Sequence, residues 1–272
     1  ELKNYEPYVT GLSALYCPET GIIDYSNICS RLSKNIKSKG QIITGAKIIS
    51  VQSRNDSITL ITESSEYKTN FLINCAGLHA DKIAKYSGSN LQSKIIPFRG
   101  EYYMLRKQAQ NLIKNLVYPV PNPLYPFLGV HFTRKINGEI EAGPNAVLAW
   151  AREGYKKTDI NFLDIWDYLT YVGFWRMSKK YWYTALGEYH RSFSKSAFVN
   201  ALQKLVPSLN ADDIIPSPAG VRAQALSLEG NLIDDFVIDR KNNIINVINA
   251  PSPAATSCFA IAKHISQVYD QN

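Results

Sequence analysis

The sequence predicts a mixed α/β protein: a doubly wound α/β layer interrupted by an inserted antiparallel β-sheet with helices. Three observations carry this. Apolar runs near both ends, NFLINCAG (70–77) and NIINVINA (243–250), stop at small-residue turns and are followed by helical patterning. Between them, residues 95–145 break into short strand-like pieces separated by Asn-Pro, Asn-Gly and Gly-Pro. Residues 159–205 are then largely helical in pattern. The expected partition is 18–94 with 217–272 for the α/β layer, and 1–17 with 95–216 for the second domain.

In chain order, residues 1–17 read as irregular, with Pro7, Gly11 and Pro18 as breakers. Ser26 is placed to cap a helix whose stripe is Ile28, Cys29, Leu32 and Ile36, ending before Gly40. QIITGAKIISV (41–51), SITLIT (57–62) and NFLINCAG read as strands, and His79 opens a helix. IIPFRGEYYMLR, LVYPV, FLGVHFTR (127–134) and EIEAGPN read as the antiparallel sheet. Asp159 is expected to cap a helix carrying Trp166, and Ser194 one whose stripe is Phe198, Ala201, Leu202 and Leu205, stopped by Pro207. After Pro216 and Pro218, AGVRAQAL (219–226) and DDFVID (234–239) read as short strands. The final helix is expected to start with Ser252 as N-cap and Pro253 as first helical residue, burying Cys258, Ile261, Ala262 and Ile265.

The totals bound the function. The 272 residues, 45% hydrophobic and 19% charged, suffice for a substantial core. No apolar run reaches bilayer-spanning length and no signal segment opens the chain, so a cytoplasmic location is the default expectation. Cys17, Cys29, Cys75 and Cys258 have no CxxC spacing, which points to buried free thiols rather than a metal or redox site. The formal charge is +7, but the lysines are scattered without a run of five, so an anionic substrate is favoured over nucleic acid. HExxH, GxSxG and P-loop patterns are absent from the sequence, which removes support for a hydrolase or kinase.

Some segments have both a bland and a chemical reading. Cys75-Ala76-Gly77 is either a tight turn or a place where backbone approaches a ligand closely. Ala254, Ala255 and Thr256 leave the first turn of the last helix open, so its N–H groups face whatever lies beyond the strand end. A flavin pyrimidine edge, which gains negative charge on reduction, suits that position. Arg222 and Arg99 are either salt-bridged or forks for a carboxylate. Tyr102 and Tyr103 alternate faces if their strand continues. His131, between apolar neighbours, is either a core histidine or a base near neutral pH; His190 and His264 have weaker settings.

Taken together, ETGIIDY, LINCAGLHADKIA, IIPFRGEYY, LVYPVPNPLYPFLGVHFTR, GPNAVLAWAREGY, RSFSKSAFVNALQKLVPSL, AGVRAQAL and NAPSPAATS resemble the FAD-dependent L-2-hydroxyglutarate oxidases and dehydrogenases of the D-amino-acid-oxidase-like flavoproteins. The resemblance runs along nearly the whole chain in the family's order. It implies FAD in a Rossmann-like domain covered by a β-sheet substrate domain, and oxidation of L-2-hydroxyglutarate, a small dicarboxylate, to 2-oxoglutarate. Carried over by motif, Cys75, Ala76 and Gly77 match the turn beside the FAD phosphates and ribose. Ile48 matches the strand position whose backbone meets the adenine, and Ser252, Pro253, Ala254, Ala255 and Thr256 match the helix start under the flavin ring. Arg222 matches the Gly-x-Arg carboxylate clamp, His131 is the expected base, and Arg99 and Tyr103 are expected pocket walls or clamps for the second carboxylate. No metal is implied. Electrons would pass to oxygen or, through peripheral contact with the inner face of a membrane, to quinone.

The family opens with a βαβ unit carrying GxGxxG. No two of the 15 glycines here are spaced G-x-G, and by motif order the chain starts after that unit. The expectation is a truncated Rossmann-like FAD-binding domain, completed by a separately encoded or removed N-terminal segment. Two alternatives stay open: a non-catalytic remnant that binds no flavin, and a related oxidase of another 2-hydroxy or 2-amino acid.

Overall fold

The computed structural model describes residues 1–54, 57–121, 129–251 and 254–270. In chain order its elements are α1 (Leu2–Tyr5), α2 (Tyr25–Lys37), β1 (Ile48–Arg54), β2 (Ser57–Thr62), β3 (Glu66–Thr69), β4 (Leu72–Asn74), α3 (Ala80–Tyr86), β5 (Ser93–Leu105), β6 (His131–Arg134), β7 (Ile140–Gly143) and β8 (Val147–Leu148). Then come α4 (Phe162–Leu169), α5 (Val172–Phe193), α6 (Lys195–Gln203), β9 (Ile214–Ser227), β10 (Val237–Lys241), β11 (Ile244–Asn249) and α7 (Cys258–Asp270). Short 3-10 turns occupy Gly77–His79, Lys107–Leu112 and Ala211–Asp213. The mixed α/β class expected from the sequence holds.

Two compact units divide the chain. The first comprises Glu1–Ile42, Arg99–Val147 and Trp182–Gly220; the second comprises Ile43–Phe98, Leu148–Tyr181 and Val221–Asn272. Relative to the partition read from sequence, residues 18–42 and 217–220 fall with the antiparallel sheet, and residues 95–98 and 148–181 fall with the α/β layer.

The second unit is built around β11. All six residues of this strand are buried, which is the signature of a strand covered on both faces. Ile244 joins Val51 and Ile58 in one cluster, and Ile248 joins Ala84 of α3 and Ile95 in another. From the opposite face Ile245 and Val247 pack on Ile265 of α7. β11 pairs in parallel with β4 (Asn246 opposite Asn74) and antiparallel with β10. A separate antiparallel meander, β1-β2-β3, supplies Val51 and Ile58. Strand β1 is shorter than expected: β2 has six residues and its pairing begins at Ile48 opposite Thr62, so residues 41–47 have no ladder to join.

The first unit packs α6 and the Lys107–Leu112 turn on one face of a sheet in which β6, β7 and β5 are neighbours and β9 pairs with β5. Its core holds Leu105, Phe132, Ile140, Ala142, Phe198 and Leu202, all essentially inaccessible. Ser194 caps α6 as expected, accepting from the Ala197 amide at 3.2 Å. At Gly143 the backbone has φ +142°, and a Cβ there would sit 2.8 Å from the Glu101 carbonyl oxygen, so glycine is required where β7 turns against β5.

Several local expectations are corrected. Asp24, not Ser26, caps α2, because its Oδ1 reaches the amides of Ser26 and Asn27 at 2.9 and 3.2 Å. Asn161, not Asp159, caps α4 through the amides of Leu163 and Asp164. The helix α7 begins at Cys258; Ala254–Ser257 form i to i−3 turns ahead of it, closed by bonds such as Ser257 N–H to the Ala254 carbonyl at 3.1 Å. Its inner face is Cys258, Ile261, Ile265 and Val268, while Ala262 is exposed. The cysteines are free thiols, as expected, but three of them are exposed and Cys258 is half-buried. The expected residues Ser252 and Pro253, and residues 127–128 of the expected strand 127–134, lie outside the described residues.

Candidate functional site

In the second unit, parallel pairing places the carboxyl ends of β4 and β11 on one edge of the sheet. The Cys75-Ala76-Gly77 turn leaves one strand, and the segment leading to Ala254, Ala255 and Thr256 leaves the other. A buried amide pair shapes the first turn. Asn74 Nδ2 donates to the Ala80 carbonyl at 2.9 Å and to Asn246 Oδ1 at 2.8 Å, while Asn74 Oδ1 accepts from the Ala76 amide at 3.1 Å. Gly77 has φ +54°, and a Cβ added there would meet nothing within 4 Å. Cys75, Ala76, Gly77, Ala255 and Thr256 are exposed. The result is an open cradle of small residues at strand ends, which fits a flat ligand held largely by backbone. Although Cys75 is exposed as a residue, the protein atoms around its thiol partly desolvate it and push it above its ordinary value, so it stays protonated at neutral pH. Ile48 starts β1, half-buried, where the ladder with β2 shifts register; such irregularities re-aim backbone.

Behind the turn sits a charged cluster that the sequence reading missed. Arg152 is 2% exposed. Its guanidinium meets Asp81 in a bidentate pair at 2.6 and 2.9 Å, Asp167 Oδ2 at 2.9 Å and the Leu78 carbonyl. Its amide donates to Asp164 Oδ2 at 2.9 Å. Lys82 and Lys94 complete the pairing on Asp164 and Asp167, each at 2.7 Å. Three carboxylates thus face three cations. The one available sequence signal was Asp164 and Asp167, three apart on a single helix face.

Burial opposes ionisation of Asp164, but hydrogen bonds from the Arg152 amide and Lys82, with their charges, hold it below its ordinary value of 3.8. Asp167 is likewise held low: burial opposes, and Lys94 and Arg152 outweigh it. Lowered folded values mean that these carboxylates stabilise the fold above the ordinary carboxylate range, and that this contribution is lost as pH falls through the folded values. The urea midpoint is therefore expected to drop on acidification from about pH 5 to about pH 2. Asp164→Asn should flatten that slope; an equally steep slope in this variant would remove Asp164 from the account.

A groove of about 260 Å³ in the same unit is lined by Lys82, Lys85, Lys94, Asp167 and Tyr171 among others, and contains none of the residues expected from sequence. Arg222 lies half-buried in the part of β9 that belongs to this unit.

In the first unit, the register sorts the expected residues onto two faces. Tyr103 opposes Ala142, which opposes Phe132, so these three point to the core side. Tyr103 packs its ring on Phe198 at 4.7 Å. Burial and the Glu101 charge push its phenol above the ordinary value. Arg99 and Glu101 alternate onto the same face of β5. Arg99 is 3% exposed and gives Nε and Nη2 to Glu101 Oε1 at 3.2 and 3.0 Å; Glu101 Oε2 accepts from Asn145 at 2.8 Å. His131 precedes Phe132 and so projects from the opposite face. Its ring stacks on Tyr118 at 4.3 Å, and Tyr118 Oη lies 3.3 Å from Thr133 Oγ1 on the same side. Nδ1 of His131 is 3.1 Å from the Gly129 carbonyl, which can only accept, so the neutral ring carries its proton on Nδ1 and its lone pair on Nε2. The sheet therefore brings Arg99 and Tyr103 together but sets His131 apart from them.

The sequence profile of FAD dependent oxidoreductases matches residues 1–268. The chain belongs to the FAD dependent oxidoreductase family. Over 263 residues it is 49% identical to the L-2-hydroxyglutarate dehydrogenase of Indibacter alkaliphilus, covering 96% of this chain and 66% of that relative. It is 41% identical over 267 residues to the L-2-hydroxyglutarate dehydrogenase of Escherichia coli, covering 97% of this chain and 63% of that relative. The chain thus spans somewhat less than two thirds of these relatives' length. Among solved structures it is similar in fold to the dithionite-reduced L-alpha-glycerophosphate oxidase of Mycoplasma pneumoniae with FAD bound, at TM-score 0.68 and 20% identity, covering 97% of this chain and 61% of the other. FAD is the cofactor of the family to which this chain belongs, and the open strand-end cradle fits it. Among the described residues, no helix is long and apolar enough to cross a membrane.

Proposed function

We propose that this chain is the larger part of an FAD-dependent dehydrogenase or oxidase that converts L-2-hydroxyglutarate to 2-oxoglutarate. The observation that carries this reading is the 49% identity to an L-2-hydroxyglutarate dehydrogenase along 96% of the chain. The small-residue cradle at the ends of β4 and β11 supports it. In this reading Ile48 and the Cys75–Gly77 turn would hold the adenosine side of FAD, and Ala254–Thr256 would face the flavin. The pyrophosphate-holding glycine loop is not among residues 1–272 and is contributed by another segment, in the same polypeptide or a separate one.

When bound, FAD would supply a two-electron acceptor for the C2 hydride, with oxygen or a quinone as the final oxidant. His131 would take the hydroxyl proton on Nε2, the ring nitrogen that carries no proton when Nδ1 donates to the Gly129 carbonyl. Arg222 pairs with a substrate carboxylate through its fork. Arg99, held by Glu101, and Tyr103 lie on the sheet face opposite His131, so in this reading they support the sheet that carries the base rather than touch the same substrate molecule.

Two measurements test this. The purified full-length protein should show the visible absorbance of oxidised flavin and bleach anaerobically on addition of L-2-hydroxyglutarate. Arg222→Met should raise KM for this substrate at least about tenfold, the weight of one charged hydrogen bond, with flavin content retained. Unchanged kinetics in Arg222→Met would remove Arg222 from the site. A protein without flavin would sink the proposal.

A further inference from the structure

We propose that Arg152 is the positioning residue that holds the Cys75–His79 turn in the shape that receives the cofactor; this rests on the FAD reading above. The turn follows β4 directly, and its middle is sharply bent at Gly77, φ +54°. Two consecutive residues grip it from outside. Arg152 Nη1 donates to the Leu78 carbonyl, and Glu153 Oε1 lies 3.0 Å from His79 Nε2. The same guanidinium is locked by both oxygens of Asp81 on α3, the helix that the turn feeds, and by Asp167 on α4. Turn and helix start are therefore fixed to one planar group that is 2% exposed. From the strand side the Asn74 amide fixes Ala76. With Arg152 on one flank and Asn74 on the other, the backbone at residues 76–78 has little freedom to adjust, so its exposed surface is preorganised.

Lysine at this position keeps the charge but replaces a fork with a point donor that cannot serve Leu78 and both Asp81 oxygens together. In the full-length protein, Arg152→Lys is expected to raise the dissociation constant for FAD, read by flavin fluorescence, about tenfold. It should also speed hydrogen exchange of the His79 amide, which bonds to the Ala76 carbonyl at 3.0 Å, in the flavin-free protein. The control is Ile140→Ala, a buried residue of the first unit whose core cluster contains neither Arg152 nor any residue of the turn. It should lower the urea midpoint yet leave FAD affinity within about twofold, as expected of a stability effect remote from the ligand. Wild-type exchange in Arg152→Lys overturns the pinning. Faster exchange with wild-type affinity overturns the role toward the cofactor, as does an Ile140→Ala protein that loses FAD affinity equally. A wild-type protein that retains no flavin overturns the FAD reading and this role together, leaving the exchange data to decide the pinning alone.

Discussion

Replacing His131 with Asn is expected to lower kcat for L-2-hydroxyglutarate by about 10²- to 10⁴-fold, the range for losing a positioned general base. Flavin content and melting temperature should barely change. The expectation follows from geometry. His131 is the first residue of β6 and projects from the face opposite Phe132, so its loss opens no hole in the core. The Gly129 carbonyl places the neutral ring's proton on Nδ1, and the Tyr118 ring stacks on its plane. Asn can hydrogen bond but cannot accept a proton near neutral pH. The measurement is kcat in the flavin-loaded enzyme across a pH series, with the rate restored in part at high pH where hydroxide substitutes for the base. A kcat within about threefold of wild type would exclude His131 as the base, since that is far below a base's usual weight.

The second large effect is on stability. Phe198→Ala should destabilise the protein by about 3–5 kcal/mol, the usual cost of removing a buried phenylalanine together with the cavity left behind. Phe198 is 0% exposed and lies in a cluster with Leu105, Phe132, Ala142 and Leu202. Its ring also holds Tyr103 at 4.7 Å with a 52° tilt. The variant should therefore show a lowered denaturation midpoint and a changed near-ultraviolet signal from a loosened Tyr103. A loss below about 1 kcal/mol would mean that the helix α6 collapses inward to fill the space.

What could be read from the sequence was what depends on near neighbours. The α6 cap and stripe lie within a dozen residues, and Ser194, Phe198 and Leu202 behave as read. The small-residue ends of the β4 and β11 segments were visible because each strand's apolar run stops abruptly. Where two capping side chains stood close together, sequence could not choose. Asp24 and Asn161 win because their oxygens reach two amides each, a matter of ångströms. The strand expected over 41–51 begins only at Ile48 because the length of its partner set the limit. Arg152 was invisible for a different reason: its partner Asp81 lies 71 residues back in the chain, and nothing local marks an arginine in AREGY as buried. The separation of His131 from Tyr103 is likewise a register fact, decided by which residues of β6 and β5 oppose Ala142.

The division into two units carries a consequence for how the protein is made. The chain passes from one unit to the other at 42/43, 98/99, 147/148, 181/182 and 220/221, so neither unit is an uninterrupted stretch. The parallel pair that forms the cradle joins residues 172 positions apart, Asn74 and Asn246. On the ribosome, β4 must wait unpaired on that side until nearly all of residues 1–272 have emerged. Such late, long-range closure makes folding slow and leaves an open strand edge in the nascent chain. A premature stop anywhere before β11 would therefore remove the cradle as well as α7, and the unpaired β4 edge would direct the fragment toward aggregation and chaperones.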